Sequence, residues 1–213
     1  HESLQLIFDN NFSSPYARSA MEKFAPELQL GMAGAARIRG HQYQKLLEYF
    51  GSDEEVLQAP PEQLIQAGLS PKIAASFIQK RSGDFLKERE LMRRNTIIYI
   101  GWCDPRYPSL LKQINDPPLG LFVRGNPDII CDELCIAVVG TRTITSYGEI
   151  ATKIITTPLA KNGSTIVSGL AFGVDAAAHR ATLDACAKTV AVLGSGLDDE
   201  SIGPRSHLGL AEE

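Results

Sequence analysis

The sequence lacks a membrane-length apolar run, a metal-spaced cysteine pair and any excess of positive charge. No apolar stretch approaches ~18 residues, and the start, His1-Glu2-Ser3, has no charged-then-apolar leader pattern. The chain therefore reads as soluble and cytoplasmic, with no membrane partner, and a first residue of His rather than Met reads as a trimmed start. The four cysteines, Cys103, Cys131, Cys135 and Cys186, form no C-x-x-C pair and have no nearby His at ligand spacing. They are expected to be free thiols of a reducing compartment, and no metal is expected. Net charge is −4, so no general field steers polyanions to the molecule. Residues 1–95 carry 12 Lys/Arg against 12 Asp/Glu, and residues 96–213 carry 9 against 13. An anion site has to be local, built from loop amides and a few cations. Internal repeats and low-complexity segments are also missing.

What is present is a chain of 213 residues, 44% apolar, enough for one large or two small domains with a real core. Residues 1–90 read as helical, with no strand pattern. A helix is expected from Arg37 to Phe50, ending at Gly51. Ser52 then offers a cap, with Asp53-Glu54-Glu55 in the next first turn. Pro60-Pro61 starts a further short helix, and Gly68-Leu69-Ser70 turns into a helix over 72–94. Gln63 to Ile78 has the shape of one helix-hairpin-helix unit, and Gly31-Met32-Ala33-Gly34 is a loose second copy. Two readings stand: a small helical packing module, or turn amides offered to DNA phosphates.

Composition shifts near residue 95. Thr96–Ile100 and Leu121–Val123 read as strands, Leu110–Ile114 as a helical turn, and Asp104–Pro108 as an irregular loop. Then come three apolar runs, each ending in a small or glycine-rich turn. They are Ile136-Ala137-Val138-Val139 into Gly140-Thr141-Arg142, Thr165-Ile166-Val167 into Ser168-Gly169, and Val190-Ala191-Val192-Leu193 into Gly194-Ser195-Gly196. Apolar strands separated by helical patterns predict a parallel sheet of buried strands with right-handed crossovers, an α/β fold. Ligands of such sheets sit outside the carboxyl ends of the strands, where all three turns must lie.

Gly140-Thr141-Arg142 precedes a helix opened by Ser146-Tyr147-Gly148 and running to about Lys161. Free amides at a helix start, together with the planar fork of Arg142, suit a phosphate. The turn is no dinucleotide fingerprint, because no G-x-G-x-x-G follows the strand and Ser168-Gly169 stands where a ribose-binding acid would. A G-x-x-x-x-G-K-[ST] loop is also lacking, so no nucleotide cofactor is expected. Gly169 and Gly173 flank Phe172, which is either an aromatic exposed to stack on a base or a buried side chain of the turn. Asp175 reads as a cap or dipole partner. Ala176-Ala177-Ala178 predict tight helix-on-sheet packing. His179 reads as structural or ligand-positioning, since no Ser or Cys nucleophile pairs with it. Asp198-Asp199-Glu200 reads as a solvated loop. No catalytic residue is assigned.

Four segments, DPRYPSLLKQINDPPLGLFVRG (104–125), IAVVGTRTITSYG (136–148), STIVSGLAFGVDAAAHRATL (164–183) and TVAVLGSGLD (189–198), resemble in order and spacing the DNA-processing protein A family, also called Smf or DprA. The resemblance covers residues 90–213. It implies an extended Rossmann-like parallel-sheet domain over 89–213, preceded by a small all-α, sterile-alpha-motif-like or helix-hairpin-helix domain over 1–88. It further implies single-stranded DNA binding, protection of incoming DNA, loading of the RecA recombinase in natural transformation, a homodimer, and no enzymatic activity. The family's G-[ST]-R motif maps onto Gly140-Thr141-Arg142. The expected DNA-binding set is Gly140, Thr141, Arg142, Ser168, Gly169, Phe172, Gly173, Gly194 and Ser195. The chain stops at Glu213, where the family continues with later strands and a Lys/Arg/Asn-rich segment, so the second domain reads as C-terminally truncated. The hairpin at Gly31–Arg39 departs from the family's glycine-turn pattern. The alternative reading is a Rossmann-like nucleotide sensor or a nucleotide N-glycosidic hydrolase, although no glycine-rich loop with a catalytic glutamate is present.

Overall fold

The computed structural model describes residues 4–7, 38–81, 85–131 and 134–213. The second hairpin copy at Gly31–Gly34 lies outside them. Chain contacts divide the molecule into two compact units. One holds His1–Ser3, Ser14–Arg94 and Ile98–Leu121, and the other Leu4–Ser13, Asn95–Ile97 and Phe122–Glu213.

The first unit is built from helices α1 (Gly40–Phe50), α2 (Asp53–Gln58), α3 (Pro61–Gln66), α4 (Pro71–Arg81) and α5 (Leu86–Arg94). Their starts follow from local chemistry. Ser52 Oγ accepts from Glu55 N at 3.3 Å, Pro61 stands at the first position of α3, and Ser70 Oγ accepts from Ile73 N at 3.3 Å. The single helix expected over 72–94 is two, α4 and α5, with Phe85 outside both. Sequence periodicity bridged them because apolar spacing carries on across Gly83, a residue that weakens helices. Tyr43, Leu46, Val56, Leu64, Ala74 and Phe77 form the buried interior. The Tyr43 hydroxyl donates to Asp53 Oδ1. Burial pushes the Asp53 carboxyl above its ordinary value, and that hydrogen bond opposes the shift.

After α5 come β2 (Ile97–Gly101), the short α6 (Ser109–Lys112) and β3 (Gly120–Arg124). The irregular loop expected at 104–108 is ordered by buried Asp104, whose carboxylate accepts from Arg106 N at 2.8 Å, Nε at 3.0 Å and Nη2 at 2.6 Å. Lys112 Nζ lies 5.2 Å from the Trp102 ring centre and 5.4 Å from that of Tyr107.

The second unit carries the expected parallel nucleus: β4 (Cys135–Ala137), α7 (Ser146–Lys161), β5 (Thr165–Ser168), α8 (Val174–Asp184) and β6 (Thr189–Leu193). A short α9 (Leu208–Glu212) follows. β4 pairs with β5 and β5 with β6, both parallel. Ala160 of α7, Ile166 of β5 and Ala178 of α8 form a buried cluster, so the alanine run does seat a helix closely on the sheet.

Two expectations are corrected. First, a strand does occur within residues 1–90. β1 (Leu4–Ile7) pairs antiparallel with β6 in the register Leu6↔Val192. Four residues are too few to show a period of two, so tertiary pairing decides the assignment. Second, the first apolar run is not buried. In this unit the sheet runs β3-β1-β6-β5-β4, which leaves β4 at an edge. Cys135 and Ala137 are exposed, Ile136 is half-buried, and Val139, past the strand end, is 69% exposed.

α7 is also apolar on the side facing away from the core. Its buried positions are Thr152, Thr156 and Ala160, one turn apart, while Tyr147, Ile150, Ile154 and Ile155 are exposed, the first at 81%. The outward face of α7 is thus the more apolar of the two.

Candidate nucleic-acid interface

The three strand exits lie at the carboxyl ends of β4, β5 and β6, and short bonds fasten the first two to one another and to the start of α8. At the β4 exit, Thr141 folds its side chain back on the turn: Oγ1 accepts from Thr143 N and donates to Thr143 O, both at 3.2 Å. Its carbonyl accepts from Val174 N at 3.1 Å, which ties this turn to the start of α8. A Cβ on Gly140 would stand 2.7 Å from Val174 Cγ2, and one on Gly173 would stand 2.1 Å from Thr141 O. These two glycines let one turn rest on the other. Gly173 also has φ +81°, the left-handed region. Arg142 is exposed, and among the described residues nothing pairs with its guanidinium. A planar, always-charged fork standing free beside backbone turns is suited to a phosphate.

α7 runs from Ser146 to Lys161, the span expected of it. Thr145 caps it, accepting from Gly148 N at 3.1 Å. One of the free amides expected there is therefore already engaged.

At the β5 exit, Ser168 is buried and its hydroxyl donates to Val138 O at 2.6 Å. Its side chain holds β5 to the end of β4. Gly169 N donates to Asp175 Oδ2 at 3.1 Å, so Asp175 pins the turn to the first turn of α8. Leu170 is buried with φ +56°, a left-handed conformation that a leucine holds only when its surroundings impose it. Phe172 is 50% exposed, between the two readings open for it. Its ring centre lies 4.9 Å from that of His207 at an interplanar angle of 66°. His207 Nδ1 lies 2.8 Å from Leu170 O; a carbonyl only accepts, so Nδ1 carries the proton.

His179 is buried among these groups. Thr189 Oγ1 donates to Ile166 O at 2.9 Å, which uses its only hydrogen. It must therefore accept from His179 Nδ1, 2.7 Å away. That bond fixes the tautomer and leaves Nε2 a buried acceptor without a partner among the described residues. Burial pulls the imidazole down to about 4; nearby Asp175 opposes the shift and His207 adds to it. Such a group is structural rather than a base at neutral pH.

At the β6 exit, a Cβ on Gly194 would meet nothing within 4 Å, so this exposed turn is open to close approach. Ser195 is half-buried, its Oγ only 3.4 Å from Gly196 O. The acidic run after it is fastened down. Asp199 Oδ1 accepts from Arg124 Nη1 at 2.6 Å, the same nitrogen donates to Leu197 O at 3.0 Å, and Arg205 Nη1 donates to Asp199 O. No group of three metal-ligating side chains occurs among the described residues. Among the described residues, Cys103, Cys135 and Cys186 form no disulfide, and no helix is long and apolar enough to cross a membrane.

Sequence reasoning missed His207 and Arg124. Neither lies in a glycine turn, and both act across long separations: 37 residues from His207 to Leu170, and 75 from Arg124 to Asp199. Side-chain chemistry alone offered no signal for either.

Comparison with known proteins places this geometry among relatives. Residues 87–213 match the family model for DNA recombination-mediator protein A. The chain is 38% identical over 171 residues to DNA processing protein DprA of Bacillus subtilis strain 168, covering 78% of this chain and 56% of that protein. It is 36% identical over 162 residues to protein Smf of a Synechocystis strain, covering 72% of this chain and 40% of that protein. The X-ray structure of DNA processing protein A from Streptococcus pneumoniae superposes with a TM-score of 0.66 at 30% identity, over 87% of this chain and 62% of that one. The chain thus spans about half the length of the curated relatives it matches.

Proposed function

The chain belongs to the DNA recombination-mediator protein A family, and from that premise we propose that it binds single-stranded DNA across the three strand exits of its parallel sheet. The observation that carries the reading is Arg142, an exposed guanidinium on the turn after β4 with no partner among the described residues. In this reading Arg142 holds a backbone phosphate, with the amides of Thr141 and Gly140 beside it. The open turn at Gly194-Ser195 lets the strand approach closely, and Phe172 offers a ring face to a splayed base. Ser168, Gly169 and Gly173 hold the turns in place. The role is binding without catalysis or cofactor: protecting an incoming strand and passing it to the RecA recombinase in natural transformation, in the cytoplasm, as a homodimer. The 1–88 and 89–213 segments serve as helical and DNA-binding domains respectively.

The test is fluorescence anisotropy of a labelled strand of ~35 nucleotides and of its duplex. Wild type prefers the single strand, and Arg142→Ala weakens that binding at least about tenfold, the scale of a lost charge-assisted phosphate contact, with an unchanged thermal melt. Equal affinity of a folded Arg142→Ala variant overturns the assignment.

A further inference from the structure

Phe172 is unusual among the exposed apolar side chains of this unit because its surroundings fix it. Leu170, two residues earlier, is buried in a left-handed conformation, and Gly173, the next residue, is pressed against Thr141 O with φ +81°. The segment between them has little freedom to turn the ring elsewhere. His207 completes the support. It is itself buried, its Nδ1–H donates to the Leu170 carbonyl at 2.8 Å, and its ring meets Phe172 nearly edge-to-face at 4.9 Å. This T-shaped arrangement is favourable for an aromatic pair. One residue thus both closes the hydrogen bond of the strained turn and braces the ring that projects from it, while half of the Phe172 surface stays open to solvent.

We propose that His207 is a positioning residue that holds Phe172 as a preformed stacking platform for one unpaired nucleobase. The proposal rests on the reading that a single strand lies across the strand exits. It goes beyond that reading in assigning His207 the task of fixing Phe172 in place, apart from the phosphate contact at Arg142. A platform fixed in advance loses no side-chain freedom on binding, so the stacking energy appears in full in the affinity.

Two strands of equal charge and length separate the terms: a fluorescein-labelled 35-nucleotide thymidine strand, and a 35-unit strand of the same backbone carrying only abasic sites. Wild type binds the base-bearing strand at least about fivefold more tightly, the low end of what one stacked base contributes. Phe172→Ala and His207→Ala bring that ratio to within about twofold of one. Arg142→Ala weakens both strands and leaves the ratio in place. His207→Gln keeps a donor for the Leu170 carbonyl but removes the ring; it loses the preference as well, which guards against a fold defect in the alanine variant. A folded His207 variant that keeps the wild-type ratio overturns the proposal, as does a wild type that binds both strands equally, which leaves phosphate binding standing. If wild type binds neither strand, the single-strand reading falls and the proposal falls with it.

Discussion

His179 holds its proton on Nδ1 because Thr189 has no hydrogen left to offer it, and the bare Nε2 beyond has no partner among the described residues. A proton added there would be buried, so the folded state keeps the ring neutral down to about 4, whereas the unfolded chain takes up a proton near the ordinary value of about 6.5. The stability that depends on neutral His179 is therefore complete above about pH 7, falls as pH drops through 6.5, and levels off below about 4. The loss between pH 7 and pH 5 is about 2 kcal/mol. Urea titrations at the two pH values should show it, and His179→Gln should abolish this part of the difference; an unchanged slope in that variant would assign the acid sensitivity elsewhere. At this scale the sequence was readable where one residue type does one thing in a turn. Arg142 and Gly194 are where their neighbours in sequence put them. Ser168 was not readable, because a serine after a strand looks alike whether its hydroxyl meets solvent or a carbonyl 30 residues away.

Helices were the most legible elements, since their start signals are local: Ser52, Pro61 and Ser70 each begin the helix that their chemistry predicts. The strands after residue 95 were legible from apolar runs, whereas β1 was not, and neither was strand position in the sheet. An edge strand and a central one can carry the same four apolar residues, and β4 proved to be an edge. α7 shows the same limit. Its composition gives an apolar helix, yet the side turned to the core carries Thr152 and Thr156, and the Thr156 hydroxyl is fully buried with no hydrogen-bond partner among the described residues. Leaving such a group unpaired costs about 1–3 kcal/mol. Thr156→Val, which keeps the branched shape and removes the hydroxyl, should therefore raise unfolding stability by about 1 kcal/mol in urea titration. A loss of stability would mean that the hydroxyl has a partner in solution.

Across the whole molecule, an overall charge of −4 means that the DNA binding proposed above would depend on a few placed cations rather than on a general field. The affinity for a single strand should then fall with added salt along a shallow line, shallower than about −3 in log–log slope, and Arg142→Ala should flatten it by about 0.7, the share of one phosphate contact. A steep slope that ignores the mutation would locate the binding surface elsewhere. The pairing of β1 with β6 matters at this scale in another way. Leu6 stands opposite Val192, so this pair joins residues far apart in sequence. At the usual pace of synthesis, roughly 5–20 residues per second, the opening segment waits on the order of ten to forty seconds on the ribosome before its partner is made. During that wait its edge is open to whatever else is nearby, and the pairing closes only after β6 has been translated.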